Sequence, residues 1–265
     1  MKATTTRRDG AQGRFYEVDG VLLPSVTNIL TAIAKPALIP WAANQERTAV
    51  SEAAADLYAS WATQAERVQL PRAAYLSTLL ARLGSVRAHQ KTLAAAGDIG
   101  SETHKLIEWT MRTALGAEAG PKPIVCAAAL WAFTAFEAWA ASVKLKPVLI
   151  EQTVYSKVHG FAGTMDVLAR VHGVLTLVDF KTGKGIYPEA HLQSAAYSVA
   201  LTEMGYLAPA AALIVRLPKL ETDPGFEVRT VPPVAELFPV FLAAKTLWQW
   251  SAGNDAAYRA KRKVA

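Results

Sequence analysis

The sharpest alternation in this 265-residue chain runs from Gly163 to Lys184 and reads GTMDVLARVHGVLTLVDFKTGK. Two apolar runs rich in Val and Leu flank His172-Gly173, the pattern of two antiparallel strands joined by a tight turn. With the turn centred there, facing positions have numbers of constant sum. Val171 then faces Val174, Leu168 faces Leu177, and Asp166 faces Asp179. Side chains alternate across a strand, so Asp179 and Lys181 share a face and Asp166 joins them from the neighbouring strand. Leu168, Leu175 and Leu177 occupy that face too, which puts the charges at the end of an apolar surface.

The same patterning predicts the remaining elements. Residues 1–12 are polar and expected to be loose. Arg14 to Leu23 alternates around Asp19-Gly20 and predicts a second hairpin. Ser25 or Thr27 can cap a helix through about Ala34, closed by Pro36. Pro40 opens an alanine-rich helix to about Arg67; another follows Pro71, and a third spans about Ser85–Ala95. Gly97-Asp98 is expected to break the pattern before a helix over Ile99–Ala114. Pro123–Ser142 reads as a helix whose Trp131, Phe133, Phe136 and Trp139 are core residues at helical spacing. Pro147–Val158 alternates as the first strand of the main sheet and carries Glu151. Tyr187–Met204 is helical, Ala208–Leu217 and Gly225–Val231 are strands, and Leu237–Trp250 is a closing helix. The fold class is therefore α/β, a mixed central β-sheet flanked by helices, with a mostly helical N-terminal region over the cleft. Two domains are expected, residues 1–96 as hairpin and helical arm and residues 97–265 as the core with a basic C-terminal tail.

Composition narrows the function classes. A chain with 52% hydrophobic residues builds one good-sized core with an appendage. A formal charge of +6 favours a polyanionic partner without requiring one. Arg67, Arg72, Arg82, Arg87 and Lys91 on the arm, and Arg259, Lys261, Arg262 and Lys263 in the tail, either follow a phosphate backbone or solvate a helix surface. The single cysteine, Cys126, excludes an internal disulfide and a four-cysteine iron–sulfur cluster. No apolar run is long enough to cross a membrane, and MKATTTRRDG lacks the apolar segment of a secretory signal. A cytoplasmic protein with no membrane contact is expected.

The hairpin carries the candidate chemistry. Directly opposed strand residues have Cβ atoms roughly 5 Å apart, so two carboxylates there can share one cation; without a cation they repel. An ordinary surface ion pair is the plainer reading of an Asp-x-Lys alone. On the preceding helix His104 and Glu108 are one turn apart and share a face. Lys181-Thr182-Gly183-Lys184-Gly185 superficially suggests a nucleotide-phosphate loop, but Val178 stands where the first glycine is required, and that reading fails. Gln193 and Tyr197 are one turn apart on the next helix.

An Asp, a dozen residues, Asp-x-Lys, and then a helix with Gln-x-x-x-Tyr resembles the RecB-like branch of the PD-(D/E)xK nucleases. Here the residues are Asp166, Asp179-Phe180-Lys181, and Gln193-Ser194-Ala195-Ala196-Tyr197. The opening Pro24-Ser25-Val26-Thr27 is also similar to phage exonucleases and the mitochondrial genome maintenance exonuclease. The resemblance implies a restriction-endonuclease-like core and a metal-dependent DNA exonuclease acting in recombination, repair or replication. It implies Mg²⁺ or Mn²⁺ held by Asp166, Asp179, the Phe180 carbonyl and His104, with Glu108 orienting the catalytic set from one turn further on. Lys181 would orient the attacking water or stabilise developing charge. Gln193 would support the metal–substrate geometry, Tyr197 would contact the nucleic acid, and Lys184 would touch a substrate phosphate. An acid is frequent in the family where Glu151 stands, and the residues do not separate a supporting role from an ordinary strand position. Some RecB-like relatives carry an iron–sulfur cluster, from which this chain departs. DNA is the expected partner, with a recombination or replication protein as a possible second one and a phage origin suggested by the opening. Two alternatives stay open, a non-catalytic nucleic-acid-binding protein that retains the fold and a structural or partner-binding protein. Release of labelled nucleotides tests the first, and a metal effect on melting temperature tests the second.

Overall fold

The computed structural model describes residues 4–10, 13–62 and 72–264. Three N-terminal strands form one antiparallel sheet: β1 (Thr5–Gly10), β2 (Gly13–Val18) and β3 (Val21–Pro24). β2 and β3 are the predicted hairpin, and Asp19 (φ 48) and Gly20 (φ 80) both take the left-handed turn conformation that matches strand twist. β1 is a correction to the expectation of a loose N-terminus. Its residues are all exposed, so burial gives no sequence signal, yet it pairs with β2 from Thr5↔Val18 to Gly10↔Gly13. Ion pairs of Arg8 with Glu17 and of Arg14 with Asp9 link the two strands.

Ser25 caps helix α1 (Val26–Ile29), its Oγ accepting the Asn28 N–H at 3.0 Å, and a 3₁₀ turn over Leu30–Ala32 follows. Helices α2 (Leu38–Ala62) and α3 (Arg72–Leu83) come next, then α4 (Ala88–Ala114). The break expected at Gly97-Asp98 does not occur, and α4 is one helix of 27 residues. An interior glycine costs a helix only about 1 kcal/mol. Packing of the second half, through the buried Thr103, Leu106, Ile107 and Met111, outweighs it. Arg67, and the side chains of Arg72, Arg259, Lys261, Arg262 and Lys263, lie outside what is described.

Helix α5 (Ala127–Ser142) leads into the main sheet: β4 (Lys146–Ser156), β5 (Phe161–Val171), β6 (Val174–Thr182), then helix α6 (Pro188–Glu203), β7 (Ala211–Leu217) and β8 (Glu227–Thr230). The five strands lie in chain order, and only β6 and β7 are parallel. That pair needs a crossover, which α6 supplies. Helix α7 (Val234–Val264) continues well past the predicted closing helix, so the backbone of the basic tail is helical.

The core lies on both faces of this sheet. On one, Met165, Leu168, Leu177 and Ile214 pack with Leu192, Ala196 and Tyr197 of α6 and Phe241 of α7. On the other, Val167, Val178, Phe180 and Val215 pack with Leu106 and Ile107 of α4 and Phe133, Phe136 and Trp139 of α5. The chain divides into two compact units, one of residues 1–33 with 99–265 and one of residues 34–98. The N-terminal sheet therefore groups with the core, whereas the sequence pattern joins it to the helical arm. Its Tyr16, Val18 and Leu23 pack on Ala162 of β5. In the second unit Leu57 is buried, and His89 Nδ1 lies 2.8 Å from Glu46 Oε1.

Candidate metal-dependent active site

The site forms where the β5–β6 hairpin opens. Its turn, His172 (φ 48) and Gly173 (φ 85), and its register, Val171↔Val174 through Leu168↔Leu177, follow the sequence pattern. Pairing then stops at Val167↔Val178, one step before Asp166 and Asp179 would face each other. The Asp166 side chain takes the place of the next ladder bond, Oδ2 accepting the Phe180 N–H at 2.7 Å. Asp166 also marks a change of phase along β5. Phe161 and Met165 belong to the α6-side core, whereas Val167, Ala169 and Val171 belong to the opposite one. On the other side of β5, pairing with β4 skips the step between Ile150↔Val167 and Gln152↔Met165. The residue opposite Asp166 in that gap is Glu151, whose φ of 47° is left-handed. A side chain other than Gly or Asn is held there at a cost of about 1–2 kcal/mol. Such strain concentrates at functional sites.

His104 completes this group from α4. Its Nδ1 is 3.5 Å from Asp166 Oδ1 and 4.0 Å from Glu151 Oε1, and one donor atom from each of the three residues lies within 4.8 Å of the others. The imidazole stands edge-on to Phe180 at 6.4 Å between centroids, and Phe180 is itself held by Phe136 and Trp139. Burial alone would depress the His104 pKa, but the Asp166 carboxylate outweighs it and holds the ring up to about 9. The same pairing keeps Asp166 ionised against its own burial. Burial and the Asp166 charge push Glu151 up to about 8. One imidazole and two carboxylates, mutually crowded and strongly shifted, form a donor set that fits a divalent cation.

Asp179 and Lys181 form the second half. The Lys181 ammonium donates to Asp179 Oδ1 at 2.9 Å and to Gln193 Oε1 at 3.2 Å. Gln193 Nε2 in turn donates to Asp179 Oδ1 at 3.1 Å and to the Tyr197 hydroxyl at 3.3 Å. Asp179 Oδ2 is buried and ion-paired with Lys181 Nζ at 2.7 Å. Burial raises the Asp179 pKa to about 6, opposed by Lys181 and aided by Asp166. Burial would lower the Lys181 pKa, but the two aspartates raise it and keep the ammonium charged.

Not every residue singled out in the sequence converges here. Glu108 lies one turn beyond His104 and is bound to Arg112 at 2.8 Å, outside the three-donor group. Tyr197 is 3% exposed and its hydroxyl is engaged by Gln193. Its link to Asp179 runs through Gln193. Lys184 is exposed on the loop after β6. Of two further residues beside this group, one is left open in the sequence and one is not singled out. Glu151 is an acid at a position where the resembled family often has one, with its role left open, since a left-handed backbone leaves no trace in the residue type. Arg216, 3% exposed, sits beside Lys181 in the β6–β7 register. Its guanidinium binds the Gly183, Pro224 and Gly225 carbonyls and so fixes the loop that carries Lys184. A charge inside the run AALIVRL was the available signal for it.

Comparison with known proteins bears on this arrangement. A family model described as the PD-(D/E)XK nuclease superfamily matches residues 44–262. A search of curated proteins finds no significant match. Among solved structures, LHK-Exo in complex with dAMP aligns with TM-score 0.37 and 12% identity, over 66% of this chain and 100% of that one. The alkaline exonuclease LHK-Exo from Laribacter hongkongensis gives TM-score 0.35 and 12% identity, over 64% and 97%. The structure of SSO0001 gives 0.28 and 12%, over 57% and 73%.

Proposed function

Since the chain belongs to the PD-(D/E)XK nuclease superfamily, we propose that it is a divalent-metal-dependent deoxyribonuclease, an exonuclease of DNA recombination, repair or replication. One observation carries the reading: the donor atoms of His104, Glu151 and Asp166 lie within 4.8 Å of one another, next to the buried Asp179–Lys181 pair. His104, Glu151, Asp166 and Asp179 would hold Mg²⁺ or Mn²⁺, with the Phe180 carbonyl as a further oxygen donor. The imidazole favours Mn²⁺, because Mg²⁺ prefers an all-oxygen shell. When bound, the ion supplies Lewis acidity to the scissile phosphate and lowers the pKa of a coordinated water.

The side chains of the chain itself account for the rest. Lys181 is a fixed cation, held by Asp179 and Gln193, and is poised to neutralise charge that develops on the phosphate or to orient the attacking water. Gln193 fixes Asp179 and Lys181 relative to each other, and Tyr197 fixes Gln193. Glu108 and Arg112 act on Glu151 by charge from the next turn of α4. Lys184, exposed on the loop after β6, would meet a backbone phosphate of the strand. Exonuclease action is supported by the likeness of the Pro24-Ser25-Val26-Thr27 opening to phage exonucleases. The test uses end-labelled and internally labelled single- and double-stranded DNA in EDTA, Mg²⁺ and Mn²⁺. Mononucleotide release from one end is expected in metal only. A ladder of internal cuts would make the enzyme an endonuclease, and DNA binding without cleavage would leave a non-catalytic binder.

A further inference from the structure

Residues 162–165 of β5, which lead into Asp166, are held by their own sheet on one side only, by β4 from Gln152↔Met165 to Tyr155↔Ala162. β6 pairs with β5 only as far as Val167↔Val178, and the β4 ladder skips Glu151–Asp166. The N-terminal segment supplies support on the side of β6, where that pairing has ended. Ser25 forms a parallel bridge with Ala162. Tyr16 of β2, 1% exposed, meets Thr164 Oγ with its hydroxyl at 2.9 Å. From α6, Tyr197 presses on the adjacent Gly163 so closely that a Cβ there would sit 2.5 Å from Cε1 and 2.8 Å from the hydroxyl. The segment is thus gripped by two tyrosines. The second of them holds Gln193, and Gln193 holds Asp179 and Lys181.

We propose that Tyr16 is a positioning residue of the hydrolytic site: its buried hydroxyl bond to Thr164 fixes the β5 segment that sets both Asp166 and, through Tyr197 and Gln193, the Asp179–Lys181 pair. The N-terminal sheet is then part of the active-site framework. This rests on the nuclease reading given above. A displacement of about 1 Å at a catalytic group can cost about 100-fold in rate, and loss of groups that orient metal ligands costs about 10–100-fold in affinity or activity.

Tyr16→Phe removes only the hydroxyl, and Thr164→Val removes the same bond from the other side. Each variant, and the double variant, is tested for kcat and KM on DNA, for Mn²⁺ affinity by calorimetry, and for melting temperature. Positioning predicts a kcat about tenfold lower with KM within twofold, weaker Mn²⁺ binding, and a double variant no worse than either single one. Wild-type kcat per folded molecule and wild-type Mn²⁺ affinity in both single variants would overturn the proposal, whatever their melting temperatures. If one variant fails to fold, the other decides. If the wild type cleaves nothing, the nuclease reading fails by itself. In that event weakened Mn²⁺ binding in the variants still supports the positioning role, and unchanged binding overturns it.

Discussion

At the scale of single residues, the site is a contest between burial and charge, and the outcome is readable by pH. In the metal-free protein His104 is held up to about 9 and Glu151 up to about 8, against ordinary values of 6.5 and 4.5. Both must shed protons to bind a cation, so Mn²⁺ affinity should rise steeply between about pH 6 and 9, with proton release measurable by calorimetry in buffers of different ionisation enthalpy. Affinity that is flat over that range contradicts the assignment. For stability the sign follows from both folded values lying above the unfolded ones. The stabilisation is complete below the unfolded values and is lost as pH rises through the folded ones, so the metal-free protein should melt lower at pH 9 than at pH 6. Saturating Mn²⁺ should reverse that loss. Lys181→Met should behave in a related way. Without its ammonium the buried Asp179 resists ionisation further, so the melting-temperature deficit against wild type should grow from pH 5 to pH 8. An equal deficit at both values would mean that Asp179 is not ionised beside Lys181.

Backbone geometry is the issue at the scale of elements. Glu151 holds a left-handed backbone, so Glu151→Gly should relieve strain of about 1–2 kcal/mol and raise the melting temperature. The same change should weaken Mn²⁺ binding at least about tenfold, because a donor is gone. A drop in stability with unchanged metal affinity would remove Glu151 from the site. In α4 two glycines make a contrast. A Cβ on Gly97 meets nothing within 4 Å, whereas one on Gly100 would lie 2.9 Å from Thr182 Oγ. Gly97→Ala should stabilise the helix by up to about 1 kcal/mol. Gly100→Ala should gain less or lose, and it should disturb the end of β6 just beyond Lys181. Denaturant unfolding of the two variants reads the difference. The hairpins were legible, since alternation and paired turn residues act locally. The continuity of α4 and the existence of β1 were not. Both depend on partners distant in sequence, a packed sheet for α4 and the edge of β2 for β1, and the residues themselves carry no apolar pattern for either.

For the whole molecule, residues from five separated stretches meet at one end of the main sheet, and long-range placement is what the sequence gives least directly. Asp179 and Lys181 were legible because strand alternation fixes their shared face, and Asp166 by the hairpin register, although pairing stops one step before it; Gln193 gained a role only through the family likeness. His104 became legible only through the likeness to RecB-like nucleases, and Tyr16 through nothing at all, because a tyrosine in an N-terminal hairpin carries no sign of what it will touch. Among the described residues no helix is long and apolar enough to cross a membrane. The formal charge of +6 accords with a polyanionic substrate. The central claim is that these residues together make a metal-dependent phosphodiesterase. Its most direct test is single-turnover cleavage of end-labelled DNA in Mn²⁺ by the wild type and by Asp179→Asn, which keeps the shape and removes the charge. Hydrolysis by the wild type, abolished by EDTA and at least about 1,000-fold slower in the variant, is the predicted result. Equal rates for the two proteins, or cleavage that persists in EDTA, would contradict it.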